Sequence, residues 1–230
     1  MSYVLKKGPC NWFGDGFTSY YCDFDAANFD DNLFYQLQIQ LPLQLAKAAK
    51  KRRAGFLAGR FCAKNALFLL GTSNTSILIG EQRNPIWPDG IIGSISHSAD
   101  TAVSVVAEQK NLLGIGIDVE AVVGSNIESI KHMFATKTEL ELIHSTCCNA
   151  EESLTALFSS KESFFKAAFP SMNRYIDFDS IVLVNIDSTK QVFDFDVVRD
   201  LSPRLKAGTR VQAMYRKIHN QQIATLVVIG

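Results

Sequence analysis

The sequence predicts a mixed α+β fold in which a helical segment followed by antiparallel strands occurs twice, and three observations predict it. A long helix-forming stretch runs from Pro42 to Gly71. Three short β-type runs follow between Gly90 and Glu120. A helical middle, about 125–169, then gives way to four more strand-like runs. No residue-level repeat accompanies the repeated order. The halves meet near Gly114, so units are expected at 1–114 and 115–230.

Each element has its own reason. Residues 1–40 are rich in aromatics, Asp and Gly, show no sustained period of 2 or 3.6, and predict no element. Pro42 is well placed to start a helix and Gly71 to stop it, while Gly55 and Gly59 weaken its middle, so one long helix or two are expected. Leu45, Ala49, Phe56, Ala63 and Leu67 form its apolar stripe. IIGSISH, TAVSVVA and LLGIGIDVE, separated by SAD and EQKN, read as an antiparallel meander. Strands are expected again around Ile181–Ile186, Val192–Val198, Val211–Tyr215 and Ile223–Ile229.

Composition narrows the function classes. With 230 residues, 47% of them hydrophobic, the chain can bury a sizeable core. Lys+Arg and Asp+Glu are 23 each, so the formal charge is zero and the global balance calls for neither nucleic acid nor an anionic membrane. An anion site must be local. The five cysteines, Cys10, Cys22, Cys62, Cys147 and Cys148, show no zinc spacing and are expected as free thiols. Without a signal-like start or a run of roughly 18 apolar residues, a soluble cytoplasmic protein is expected.

Several residues point to chemistry. Alternation in GIGIDVE puts Gly116, Asp118 and Glu120 on one strand face, a pair of hard oxygen ligands suited to magnesium or, equally, a solvated strand end. In ESLTALFSSKESFFKAAF, Glu162 and Lys166 stand four apart, the spacing of a surface salt bridge. Lys161 falls inside the apolar stripe of that helix. It therefore needs an anionic partner, a carboxylate or a bound phosphate, unless it snorkels to solvent. Arg53, Arg60 and Lys64 recur at i, i+7 and i+11, stacking as an anion track or as a merely solvated basic face. In GSISHS, the His97 imidazole can donate to a phosphate or tie strands together.

Taken in order, AGRFCAKNAL (58–67), RNPIWPDGIIGSISHS (83–98), GIGIDVE (114–120) and FSSKESFFKA (158–167) resemble the 4′-phosphopantetheinyl transferase superfamily, in its monomeric, enterobactin-type siderophore branch. The ordered set, with KE-x-x-x-K about forty residues after D-x-E, carries the resemblance over roughly residues 50–170. Phe158 departs from the Trp of many relatives.

The resemblance implies two similar α+β halves related by a pseudo-twofold axis, with coenzyme A in the cleft between them. It implies transfer of 4′-phosphopantetheine from coenzyme A to a serine of an apo peptidyl, aryl or acyl carrier protein, releasing 3′,5′-ADP. Asp118, Glu120 and Glu162 would hold magnesium or manganese, Glu162 would be the base, and Lys166, with Lys161, would bind the cofactor phosphates. Arg53, Arg60 and His97 would hold the nucleotide phosphates, while Ser96, Arg83 and Pro85 would line the adenine pocket. A monomer is implied, which meets an acidic carrier helix partly through the basic face from Lys47 to Lys64. Two other readings stay open: a magnesium-dependent phosphodiester-cleaving enzyme, and an inactive coenzyme A or carrier-binding module.

Overall fold

The computed structural model describes residues 2–122, 124–146 and 149–230, with the side chains at 124–126 and 220 set aside. It divides into two compact units, Met1–Glu108 and Gln109–Gly230. Cys10, Cys22 and Cys62 are free thiols; Cys147 and Cys148 lie outside the described residues.

The first unit contains β1 (Val4–Pro9), β2 (Thr18–Phe24), α1 (Asn32–Gln36), α2 (Lys50–Leu69), β3 (Leu78–Ile79), β4 (Pro85–Ile86), β5 (Ile91–Ser98) and β6 (Thr101–Glu108). Four strands form an antiparallel sheet in the order β1-β2-β6-β5, and α2 lies across β2, β6 and β5. The helix is continuous through Gly55 and Gly59. Those glycines are contact points: a Cβ on Gly55 would come 2.6 Å from the His97 ring, and one on Gly59 2.7 Å from Ile95. The helix therefore trades some propensity for a close approach to β5. Its buried side carries Ala54, Leu57, Ala58, Phe61 and Cys62. The stretch from Pro42 starts instead with a short 3-10 turn, Leu43–Leu45.

The second unit contains β7 (Gly114–Ala121), α3 (Gly124–Phe134), α4 (Lys137–Thr146), α5 (Ala150–Met172), β8 (Ile181–Asp187), β9 (Val192–Val197), β10 (Arg210–Ile218) and β11 (Gln222–Ile229). Its sheet runs β7-β11-β10-β9-β8, all antiparallel, with α5 packed on β7, β11 and β10. In β9, Phe193, Phe195 and Val197 are buried while Asp194 and Asp196 are more exposed, the alternation of a strand with one wet face. Asn149 caps α5 through the Glu152 amide, and Asn173 ends it in the left-handed conformation.

The expected three-strand meander is corrected at its third member. β5 and β6 pair as a hairpin, but β7 pairs with β11 at the edge of the other sheet. The second neighbour of β6 is β2, from the segment that predicted nothing.

Gly114 and Gly116 explain why α5 lies so close to β7. A Cβ at Gly116 would stand 1.9 Å from the Ser163 carbonyl oxygen, and one at Gly114 would stand 1.7 Å from that of Ala167. Backbone cannot step aside as a flexible side chain can. We expect Gly116→Ala to cost about 3 kcal/mol or more, the upper range for overpacking. An unchanged urea midpoint would show that the helix can rise off the strand.

Candidate active site

The residues that carry chemistry in the second unit lie where α5 meets the β7 edge. Asp118 is buried, 3% exposed, opposite Thr225 of β11. Its Oδ1 accepts from Lys166 Nζ at 2.6 Å and its Oδ2 from Ser159 Oγ at 2.8 Å. Lys166 Nζ also donates to the Ile117 carbonyl at 3.1 Å. The ammonium four residues after Glu162 thus pairs with the strand, and Asp118 is no solvated strand end. Glu120, two residues further along β7, is half-buried.

Glu162 is raised above the ordinary carboxylate range, first by burial and then by the charge of Asp118, with Lys166 partly offsetting both. Two carboxylates near the Lys166 ammonium give an excess of negative charge, which adds to the effect of burial on Glu162. Hard oxygen donors in such an excess fit a magnesium-type cation in kind. The expected trio is nonetheless not assembled. Among the described residues no three Asp, Glu, His or Cys side chains are grouped so as to hold a metal ion. Lys166 and Ser159 engage the two oxygens of Asp118.

Lys161 is a correction. It is 1% exposed, and its ammonium pairs with Glu139 Oε1 at 2.8 Å while donating to the carbonyls of Phe134 (2.8 Å) and Phe178 (3.3 Å). An ammonium has three hydrogens, and these three acceptors match them, leaving none for a phosphate. Burial pulls its pKa down despite Glu139. The anionic partner that the apolar stripe demanded comes from α4. Glu139 also receives the Leu183 amide at 2.8 Å and, in a capping box, the Thr136 amide at 2.7 Å.

In the first unit, a cavity of about 320 Å³ is lined by Arg52, Phe56, Ile79, Arg83 and His97, among others. This corrects the basic row. Arg53 turns away to Asp31 (2.9 Å) and the Ala48 carbonyl, whereas its neighbour Arg52 faces the cavity. Arg60 and Lys64 line an adjoining cavity of about 530 Å³. Arg60 is 7% exposed, stacks 5.1 Å from the Phe56 ring, and has a buried Nη1 without a hydrogen-bond partner. Burial lowers its pKa to about 10, so an anion there would be favoured.

Other expected roles change with the geometry. Ser96 points to the opposite face of β5 from His97 and is not among the cavity residues. Pro85 is not among them either; it pairs with Ile79, which is. Gly93 makes room for the Trp87 ring. On the face from Lys47 to Lys64, Lys50 donates to Ala27 O at 2.8 Å and Lys64 to Leu37 O at 3.1 Å. The sequence carries no functional signal for Ser159 or Thr225, and Phe56 is expected only as part of an apolar stripe. For Arg52 the adjacent Arg pair was a visible signal.

Two family models match the chain: the 4′-phosphopantetheinyl transferase N-terminal domain over residues 41–107, and the 4′-phosphopantetheinyl transferase superfamily over 114–224. The enterobactin synthase component D of Salmonella typhi is 33% identical over 168 residues, 73% of this chain and 68% of that protein. Its counterpart from Escherichia coli (strain K12) is 37% identical over 156 residues, 66% of this chain and 71% of that protein. The 4′-phosphopantetheinyl transferase PptT of Mycobacterium tuberculosis is 31% identical over 148 residues, 63% of this chain and 64% of that protein. The chain belongs to the 4′-phosphopantetheinyl transferase superfamily. Within it, the chain falls in the siderophore-type branch and is a transferase of this class. Among the described residues no helix is long and apolar enough to cross a membrane.

Proposed function

We propose that this chain moves the 4′-phosphopantetheine group of coenzyme A to a serine of a carrier protein in non-ribosomal siderophore synthesis, acting as a cytoplasmic monomer. One observation carries the reading: the buried Asp118, paired with the Lys166 ammonium, lies close to the half-buried Glu162 of α5. Asp118, Glu162 and Glu120 are the residues that would hold magnesium. When bound, the metal would draw charge from the pyrophosphate oxygens and favour departure of 3′,5′-ADP.

The chain's own residues have separable tasks. Lys166 is part-exposed, and its ammonium, held at Asp118 and the Ile117 carbonyl, would bring positive charge to the pyrophosphate. Glu162 would take the carrier serine's proton, directly or through water; the water route is the easier one while the carboxylate holds a cation. Nucleotide recognition is assigned to the first unit, with Arg52, Arg83 and His97 for phosphate, Arg60 as a further buried cation, and Phe56 as an apolar wall.

The test is to incubate the protein with coenzyme A, magnesium and a panel of apo carriers, then weigh the carriers. One added phosphopantetheine on a siderophore-synthetase carrier is expected; no gain on any carrier would end the reading. The Arg52 assignment has its own measurement. Arg52→Ala should raise KM for coenzyme A roughly 10- to 100-fold, the worth of a charge-assisted hydrogen bond. Arg53→Ala should leave KM nearly fixed and cost less than about 1 kcal/mol of stability, because its ion pair is partly exposed. The reverse pattern would restore Arg53 to the site.

A further inference from the structure

Behind Asp118 lies a set of buried hydroxyls that the reaction as described does not use. Ser159 Oγ, which donates to Asp118 Oδ2 at 2.8 Å, is 2.9 Å from Thr225 Oγ1, and Thr225 Oγ1 is 2.7 Å from Ser163 Oγ. All three residues are 0% exposed. Each hydroxyl has one proton, and an ionised carboxylate only accepts. Ser159 therefore spends its proton on Asp118, so Thr225 must be the donor to Ser159. Thr225 then has none left, so a bond between the Thr225 and Ser163 hydroxyls takes its proton from Ser163. The carbonyl of Thr225, 3.1 Å from Ser163 Oγ, is a second acceptor for that last proton.

From this geometry we infer that Ser163, Thr225 and Ser159 form a one-way hydrogen-bond relay whose task is to position the Asp118 carboxylate. The inference rests on the proposed reading of Asp118 as a transfer-site carboxylate. Buried hydroxyls are costly unless bonded, and an Ala-Val-Ala set of similar shape would leave no hydroxyl to satisfy. What such an apolar set could not do is donate to Asp118. Successive donors polarise one another where no water competes, so the far end strengthens the bond at the near end. One carboxylate oxygen is thereby fixed from behind, while Oδ1 stays on the side of Lys166. The close helix approach permitted by Gly116 puts Ser163 and Ser159 within reach of β11.

These are positioning residues, and the test must separate the hydroxyl from the volume. Thr225→Val keeps the shape and removes the donor; Thr225→Ser keeps the donor. In Thr225→Val, kcat should fall about tenfold, the worth of one buried hydrogen bond, with KM for coenzyme A within about twofold of wild type. Binding of Mn2+ alone to metal-free protein, followed by electron paramagnetic resonance without coenzyme A, should weaken about three- to tenfold. Thr225→Ser should restore both to within about twofold. If Thr225→Val does not fold, Ser163→Ala and Ser159→Ala take its place, with the larger loss expected at Ser159. Equal losses in the Val and Ser variants, or no change in either readout, would overturn the relay. Asp118→Asn is the control for the underlying reading: if it retains transfer, the site assignment falls and the relay with it. If Asp118→Asn is inactive and Thr225→Val behaves as wild type, the relay alone falls.

Discussion

Asp118→Asn and Glu162→Gln should each lower carrier modification by about 10³-fold or more while the protein stays folded. A cation clamp on a phosphoryl oxygen supplies several kcal/mol of transition-state stabilisation, and each 1.36 kcal/mol is a factor of ten. Both changes keep shape and remove charge, so lost activity cannot be blamed on lost volume. The two differ in what else they do. Asp118→Asn also deprives Lys166 of its 2.6 Å partner, whereas Glu162→Gln removes a carboxylate that its surroundings already disfavour.

That difference gives a stability signature in metal-free buffer. The folded-state pKa of Glu162 is raised, so folding favours its protonated form. Its contribution is present below the unfolded-state pKa and is lost as pH rises through the folded one. Above its folded-state pKa the ionised Glu162 therefore counts against the fold, and there Glu162→Gln should melt no lower than wild type. The advantage should shrink as pH falls and the native carboxyl protonates. A variant that is inactive yet at least as stable marks a residue kept for chemistry. Retention of more than about a tenth of the activity would count against the site.

What could be read from the sequence follows a physical division. Local periodicity placed β9, with its inward Phe193, Phe195 and Val197, and fixed the phase of α5 well enough to bury Lys161. Pairing across long separations left no such trace. Nothing in GIGIDVE says that Asp118 lies beside Thr225, and nothing in TAVSVVA names β2 as its neighbour, because strand partners are chosen by tertiary packing. The same limit hid the relay, whose members are 41 to 66 residues apart in its Ser159 bonds. Arg52 was missed for a different reason. One residue is a 100° turn of the helix, and the i, i+7, i+11 spacing favoured Arg53, whose guanidinium Asp31 draws aside. The alternation of GIGIDVE puts Gly116 on the face of Asp118 and Glu120, but does not show the α5 backbone that meets that glycine.

Lys161→Met should destabilise the protein by roughly 3–5 kcal/mol, because removing one partner of a buried ion pair leaves the other charge uncompensated. Glu139 is 0% exposed. At roughly 2–4 °C per kcal/mol for a chain of this size, the melting temperature should fall by roughly 6–20 °C. Replacing both partners, as in Lys161→Met with Glu139→Leu, should not return full stability. Glu139 also accepts the amides of Thr136 and Leu183, and an apolar residue would orphan both, at about 1–3 kcal/mol each where they are buried. The kinetic expectation separates this role from phosphate binding. An ammonium committed to Glu139, Phe134 O and Phe178 O makes no contact with coenzyme A, so KM for coenzyme A in folded Lys161→Met should match wild type. A variant of unchanged melting temperature with a raised KM would return Lys161 to the cofactor site and detach it from the core.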